Sequence, residues 1–145
     1  MASFDDVEKG GNAVAAIIAA GIIPAGLEMM DKAATRAVEE FVHAGYDINA
    51  EAILLCESDG TPEEVAEEIE RMTEVLKKSG AIRIQVSQTE AERLKFWSGR
   101  KNAFPAAGRI SADYYCMDGT IPRQHIATDR KSTRLNSSHS QQSRM

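Results

Sequence analysis

The segment 61–80, TPEEVAEEIERMTEVLKKSG, carries the signals of an amphipathic helix at both ends. Thr61 can cap the first free amides, Glu64 is placed to complete a capping box, and a proline occupies the first helical position, where no amide donor is missed. Four apolar residues then follow at spacings of four, three and four: Val65, Ile69, Met72 and Leu76. They form one apolar stripe, which predicts that this helix lies against another layer of structure.

That layer is predicted to be a sheet, because segments of strand length stand on both sides of the helix. Residues 52–56, AILLC, are short and apolar, and residues 82–86, IRIQV, alternate apolar with polar side chains. The same order occurs earlier, where a short ASF segment precedes a predicted helix at about 5–20, capped by Asp5, and a strand at 25–30. We therefore predict an α+β domain that resembles a ferredoxin-like fold, with a mainly antiparallel sheet and helices packed on one face.

The rest of the chain predicts three further elements. A helix is expected at 32–43, a second helix at 89–104, which the following proline ends, and a strand at 113–121. In the second of these helices, Leu94 and Trp97 are placed to face the core.

Composition excludes several classes of function. Apolar residues make up 43% of the chain and charged residues 27%, as is typical of a globular domain. The longest apolar run, at 13–23, is about half the length that spans a bilayer. The acidic N-terminus lacks the features of a signal peptide, so we expect a cytoplasmic protein with no direct membrane insertion. The net charge of -5, from 22 acidic and 17 basic residues, argues against binding nucleic acid.

The residues show no motif for a metal or a nucleotide. None of the three histidines, His43, His125 and His139, is paired at ligand spacing. Cys56 and Cys116 stand alone in apolar segments, where we expect buried, reduced thiols. No glycine-rich turn has the spacing of a phosphate-binding loop. The sequence therefore predicts neither metal ligands nor cofactor-binding residues in this chain.

Positive charge is concentrated in one late segment, in Arg93, Arg100, Lys101 and Arg109. The residues alone leave two interpretations open, a solvated surface or a site for a small anion. Arg100 is the best candidate for the second, because a guanidinium binds a carboxylate through two parallel hydrogen bonds. It also precedes a tyrosine-rich strand, on which Tyr114 and Tyr115 alternate faces, so only one of them can face such a site.

Two long blocks of the sequence carry a family resemblance. IIAAGIIPAGLEMMDKAATRAVEEFVHAGYDINAEAILLCESDG and FWSGRKNAFPAAGRISADYYCMDGTIPR resemble the FAD-linked subunits of bacterial glycolate oxidases, flavoproteins of the vanillyl-alcohol oxidase type. The resemblance covers about residues 1–128 and implies part of a substrate-capping domain. It also implies oxidation of a 2-hydroxy acid such as glycolate or D-lactate to the 2-oxo acid, with electrons passing to FAD and then to other glycolate oxidase subunits, which places the enzyme near a membrane through its partners.

The same resemblance implies roles for individual residues. Arg100, in the W-x-x-R of FWSGR, corresponds to an arginine that binds the substrate carboxylate in related D-2-hydroxy acid dehydrogenases. Tyr115 and Cys116 correspond to positions on a strand that faces flavin and substrate. For Glu28, in GLEMMD, two interpretations stay open, a residue that lines the same face and a solvated or capping residue. These four are the candidate substrate-binding residues, and no catalytic residue is identified.

Two parts of the family pattern do not occur in this sequence. One is the FAD-binding domain, and the other is the H-x-G-D-G-N-x-H-P block that supplies metal ligands or the catalytic base in relatives. FAD would therefore be bound mainly outside this chain, as would any metal, and we expect the chain alone to be inactive. The alternative is a free-standing ferredoxin-like module that binds a small carboxylate through Arg100.

The last 17 residues, 129–145, differ in character from the rest, because serine, arginine and glutamine replace the apolar positions. The segment 129–139, DRKSTRLNSSH, corresponds to the translation of a widely used sequencing adapter. We therefore expect the domain to comprise residues 1–128 and the segment 129–145 to be a translated adapter without a function.

Overall fold

The computed structural model describes residues 1–111 together with residues 113, 115, 120 and 122. Within these residues the chain forms four strands and five helices. The strands are β1 (Ala2–Phe4), β2 (Gly26–Asp31), β3 (Ala52–Glu57) and β4 (Arg83–Ile84). The helices are α1 (Val7–Ala19), α2 (Lys32–Val42), α3 (Pro62–Lys78), α4 (Glu90–Lys101) and α5 (Ala103–Ile110).

The four strands form one antiparallel sheet in the order β2-β3-β1-β4. Ala2 of β1 pairs with Leu54 of β3 on one side and with Ile84 of β4 on the other, so β1 lies inside the sheet. β2 pairs with β3 along its whole length and forms one edge. The antiparallel sheet and its helices confirm the predicted α+β class, and the strand order is that of a ferredoxin-like fold.

One face of the sheet is covered by α1 and α3. The largest buried side chains of this core are Phe4, Ile17, Ile22, Leu54, Met72 and Leu76. The apolar stripe predicted for α3 supplies part of it, because Met72 and Leu76 are buried while Val65 and Ile69, nearer the start of the helix, are partly exposed. The helix thus lies on the sheet as predicted.

The opposite face is covered as well, by α2, α4 and α5. The side chains of β3 explain why both layers are needed. Ala52 and Leu54 belong to the core beneath α1 and α3, Ile53 and Leu55 belong to the second core, and all four are buried. A strand covered on both sides needs such a continuous apolar run. The predicted single helix layer therefore corresponds to α1 and α3, and the structure adds a second one.

The predicted helix starts at Thr61 and Thr89 are confirmed. The Thr61 hydroxyl accepts from the Glu64 amide at 3.4 Å, and the Glu64 carboxylate accepts from the Thr61 amide at 2.9 Å, which completes the capping box of α3. At the start of α4, the Thr89 hydroxyl accepts from the Glu92 amide at 3.2 Å. Each contact satisfies an amide that has no partner within the helix.

The predicted cap of α1 is wrong by one residue. Asp6, rather than Asp5, caps the helix, and its carboxylate accepts from the Glu8 amide at 2.6 Å. Asp5 instead forms an ion pair with Lys9, at 2.8 Å. Two consecutive aspartates are equally good caps by residue type, so the sequence does not distinguish them.

The prediction for the region around Pro105 is also wrong. α4 ends at Lys101, and Pro105 lies in the first turn of the next helix, α5. A proline is tolerated there, because the amides of the first turn have no intrahelical acceptor and none is lost. Trp97 packs against the second core as expected, whereas Leu94 is 46% exposed.

One predicted strand differs in extent from the structure, and another lies largely outside the described residues. β4 is shorter than the predicted strand at 82–86, although pairing continues through the Gln85 amide, which donates to the Met1 carbonyl at 2.9 Å. The strand predicted at 113–121 lies outside the described residues apart from positions 113, 115 and 120. The segment 129–145 lies wholly outside them.

Candidate functional site

The FWSGR segment, residues 96–100, lies in the second half of α4 and approaches α2 closely. Gly99 is the point of closest approach and is buried. A Cβ atom at this position would lie 2.6 Å from Val38 Cγ1 and closer still to the Tyr46 hydroxyl. Because no side chain fits in this space, glycine allows α4 to pack directly against α2.

Tyr46, in the loop between α2 and β3, fixes this contact. Its hydroxyl donates to the Phe96 carbonyl and accepts from the Gly99 amide, the latter at 3.1 Å. Burial raises the pKa of the Tyr46 phenol above its usual value, so the group stays protonated and remains a donor at neutral pH. One turn of α4 is therefore held to the loop by two hydrogen bonds.

Trp97 makes the second contact that positions α4. Its indole ring lies over Gly26 at the start of β2, where a Cβ atom would be 3.0 Å from Trp97 Cη2. The lack of a side chain at Gly26 thus creates the space for the ring. Since Gly99 fixes one side of α4 and Trp97 another, both the position and the rotation of the helix on the sheet are set.

Arg100 and Glu28 meet beside the Trp97 contact. Arg100 is one helical turn beyond Trp97, and Glu28 is two residues beyond Gly26, on the same face of β2. Arg100 Nε lies 3.1 Å from Glu28 Oε2, and 48% of the arginine side chain and 42% of the glutamate side chain are exposed. The structure thus brings together two of the predicted site residues at the edge of the sheet.

Two other basic residues of the predicted group, Arg93 and Arg109, have separate partners. Arg93 is paired with both Glu57 and Glu90, and its hydrogen bond to Glu90 raises the pKa of the guanidinium further above its usual range. Arg109 lies over the ring of Phe41, 5.5 Å from its centroid. The group therefore does not form one anion site, and the candidate site depends on the arginine paired with Glu28.

The remaining two predicted site residues follow α5. Tyr115 is 86% exposed, and Cys116 lies outside the described residues. Their contact with substrate stays a prediction. Cys56, the other cysteine, is a free thiol packed against the core beneath α1 and α3, and burial raises its pKa to about 11. It is therefore protonated at neutral pH and is not an active nucleophile.

The sequence matches the family described as FAD linked oxidases, C-terminal domain, over residues 1–135. The chain belongs to this family. The match includes every helix and strand described above, and it also includes the segment that carries Tyr115 and Cys116. Membership in the FAD-linked oxidases confirms the resemblance inferred from the two sequence blocks.

Two relatives of this C-terminal domain share one name. The chain is 64% identical to the glycolate oxidase subunit GlcD of Escherichia coli (strain K12) over 126 residues, which are 87% of this chain and 25% of that protein. It is 34% identical to the glycolate oxidase subunit GlcD of Bacillus subtilis (strain 168) over 127 residues, or 88% of this chain and 27% of that protein. The chain thus spans about a quarter of the length of these curated relatives.

Among the described residues of this FAD-linked oxidase domain, the glycines of α1 and the glycine of β2 are closed to a dinucleotide. Gly10 and Gly11 are buried within α1, where Gly10 packs closely against the sheet. Gly26 is covered by Trp97. Neither place offers the open glycine turn at a helix N-terminus that binds a pyrophosphate. The glycines of α1 and Gly26 therefore do not serve as pyrophosphate-binding turns.

The same part of the chain contains no group of three or more His, Cys, Asp or Glu side chains that could hold a metal ion. His43 caps the C-terminus of α2 in a left-handed conformation, with φ of 51°. The other histidines, His125 and His139, lie outside the described residues. Among the helices that are described, none is long and apolar enough to cross a membrane.

Sequence reasoning missed the residues that position Arg100, namely Gly26, Tyr46 and Gly99. A signal was available for Gly99, because a glycine inside a helical pattern costs about 1 kcal/mol relative to alanine and often marks a packing contact. The identity of the partner could not be inferred, since Tyr46 is 53 positions away in the sequence.

Proposed function

We propose that this chain is part of the substrate-capping domain of an FAD-dependent oxidoreductase that oxidises a 2-hydroxy acid, such as glycolate or D-lactate, to the 2-oxo acid. The support is its membership in the FAD-linked oxidase family and its 64% identity to a protein named as a glycolate oxidase subunit. FAD would be held mainly by parts of the enzyme outside this chain, in keeping with the buried and covered glycines described above.

The observation that carries the proposal is the half-exposed guanidinium of Arg100 at the edge of the sheet. A guanidinium is permanently charged and matches the geometry of a carboxylate. A 2-hydroxy acid is an anion at neutral pH, and oxidation at C2 leaves its carboxylate unchanged. Arg100 would therefore bind the substrate by this group and orient the carbon that is oxidised.

Two further residues are proposed to contact the same substrate. Tyr115 carries an exposed phenol that can donate a hydrogen bond to an oxygen of the substrate, and Cys116 is its neighbour on the predicted strand. Both relatives are named as subunits of glycolate oxidase. We therefore also propose other subunits of such an oxidase as the protein partners of this domain.

The segment 129–145 is proposed to be a translated sequencing adapter and to play no part in this function. Its support is the eleven-residue correspondence at 129–139. The family match ends at residue 135, within this segment. Sequencing the source DNA across the codon for Thr128 distinguishes an adapter from a genuine C-terminal continuation.

The test is a chimera in which the aligned region of the E. coli relative, 126 residues, is replaced by the corresponding residues of this chain. We expect the chimera to bind flavin and to oxidise glycolate or D-lactate. Arg100→Ala should lower kcat/KM by on the order of 100-fold, because two charge-assisted hydrogen bonds to the substrate are lost. The measurement is steady-state dye reduction.

The matched control is Lys101→Ala, which removes the same charge at the next position. It should change kcat/KM by about twofold or less, as expected for an exposed charge that does not touch the substrate. If Arg100→Ala behaves like Lys101→Ala, the proposed carboxylate site is wrong. If the isolated chain shows flavin absorbance or reduces dye with glycolate, the expectation that it is inactive alone is wrong.

A further inference from the structure

Glu28 contacts Arg100 at one nitrogen and leaves the others open. An arginine guanidinium carries one N–H at Nε and four more on its two terminal nitrogens. Glu28 Oε2 forms an ion pair with Nε at 3.1 Å, and no hydrogen bond and no other ion pair joins this guanidinium to the part of the chain that the structure describes. Among the described residues, the two terminal nitrogens are therefore left available to an incoming carboxylate.

Two contacts position Arg100. One is the contact of Trp97 with Gly26, and the other is the ion pair of Arg100 with Glu28. Trp97 lies over Gly26, and Arg100 follows about 4.5 Å further along the helix. Glu28 follows Gly26 by about 6.8 Å along the strand. Helix and strand thus advance in the same direction from the Trp97 contact, which brings the guanidinium to Glu28. Without an acceptor at this position, the long arginine side chain would sample many rotamers.

We propose that Glu28 is a positioning residue for the carboxylate site. It holds Arg100 through Nε, so that the two terminal nitrogens present a fork to the substrate carboxylate, and it does not itself contact the substrate. This inference rests on the proposed function of Arg100. This role differs from the two interpretations that the sequence left open for Glu28, a residue that lines the site and a solvated or capping residue.

Glu28 has two opposing effects on an anionic ligand. It orders Arg100, which favours binding, and it places a negative charge nearby, which disfavours binding. Both side chains are about half exposed, so the repulsion is screened by solvent and salt. Ordering a long side chain in advance is worth a several-fold gain in affinity. We therefore expect the ordering of Arg100 to outweigh the repulsion.

Three variants of the chimera test this role. Glu28→Gln keeps the size of the side chain but removes the charge of the ion pair, and Glu28→Ala removes the partner altogether. In both variants KM for glycolate should rise by about threefold to tenfold while kcat changes by about twofold or less. In an Arg100→Ala background, Glu28→Ala should have no further effect on KM, because the side chain through which it acts is gone.

A direct readout of the contact is available in the chain itself. The ¹⁵N–¹H signal of Arg100 Nε–H should shift when the ion pair with Glu28 is lost, both in Glu28→Gln and in Glu28→Ala. An Nε–H signal that Glu28→Ala leaves unchanged would overturn the proposal. This measurement needs no bound flavin and no catalysis.

The kinetic outcomes separate this role from its alternatives. If Glu28→Gln and Glu28→Ala lower KM alike, Glu28 is a competing charge and the proposal is overturned. If Glu28→Ala lowers the unfolding temperature but leaves KM unchanged, its role is structural and the proposal is again overturned. If Arg100→Ala itself has no effect on KM, the proposed function of Arg100 has failed, and the inference fails with it.

Discussion

Gly26 and Gly99 determine where the candidate site lies, because neither has a side chain. Gly26 leaves room for the ring of Trp97, and Gly99 leaves room for Tyr46. Arg100 and Glu28 then face each other as a consequence of these two contacts. The sequence and its family resemblance identified both charged residues as candidates, but not the contact between them. Such a contact depends on residues that are distant in the sequence, which no local pattern indicates.

Gly99→Ala tests the packing of α4 on α2. The added methyl group would overlap Val38 and the Tyr46 hydroxyl, so we expect the variant to lose about 1–3 kcal/mol of unfolding free energy. Urea unfolding of the chain, followed by circular dichroism, measures this loss. Lys95→Ala, at an exposed position of the same helix, should change stability by less than about 0.5 kcal/mol. Helix propensity alone predicts the opposite sign for Gly99→Ala, so a more stable variant would show that this contact is absent.

At the scale of elements, the starts of α3 and α4 could be predicted, whereas the end of α4 could not. The starts at Thr61 and Thr89 depend on a hydroxyl and an amide three residues later, so the sequence contains the whole signal. The effect of Pro105 depends on its position within a helix, which the sequence did not show. Because it lies in the first turn of α5, it permits the helix that we expected it to prevent.

Thr61→Ala tests the capping box of α3. The variant loses the hydroxyl that accepts from the Glu64 amide, and we expect it to cost about 1 kcal/mol of unfolding free energy. Thr61→Ser keeps the hydroxyl and should retain most of the stability. Thermal unfolding of the two variants under identical conditions measures the difference. Equal losses in both would indicate that the threonine methyl group, rather than the cap, stabilises the helix start.

At the scale of the whole molecule, the candidate site lies on the second face of the sheet, for which the sequence predicted no helices. The fold class could be predicted because strand and helix periodicities are local. The second layer could not, since α2, α4 and α5 join it through contacts such as those of Gly99 with Val38 and Tyr46. The continuous apolar run of β3 was the one local sign of it.

Leu54 and Leu55 provide a test of both layers at adjacent positions. Leu54 belongs to the core beneath α1 and α3, Leu55 belongs to the second core, and their exposed fractions are 0% and 1%. Each change to alanine should therefore cost about 2–5 kcal/mol. If helices covered only one face of the sheet, only one of the two variants would lose this much unfolding free energy. Urea unfolding measures both losses, with Leu94→Ala, at a 46% exposed position, as the control.

The pattern of these losses also bears on the site. If Leu55→Ala is no more destabilising than Leu94→Ala, then α4 is not docked on the sheet, and the contact between Arg100 and Glu28 cannot form as described. If both core variants lose stability with unchanged denaturant dependence, the two layers unfold with the sheet as one cooperative unit. The carboxylate site would then be as stable as the fold itself, because the residues that position it are part of the second core.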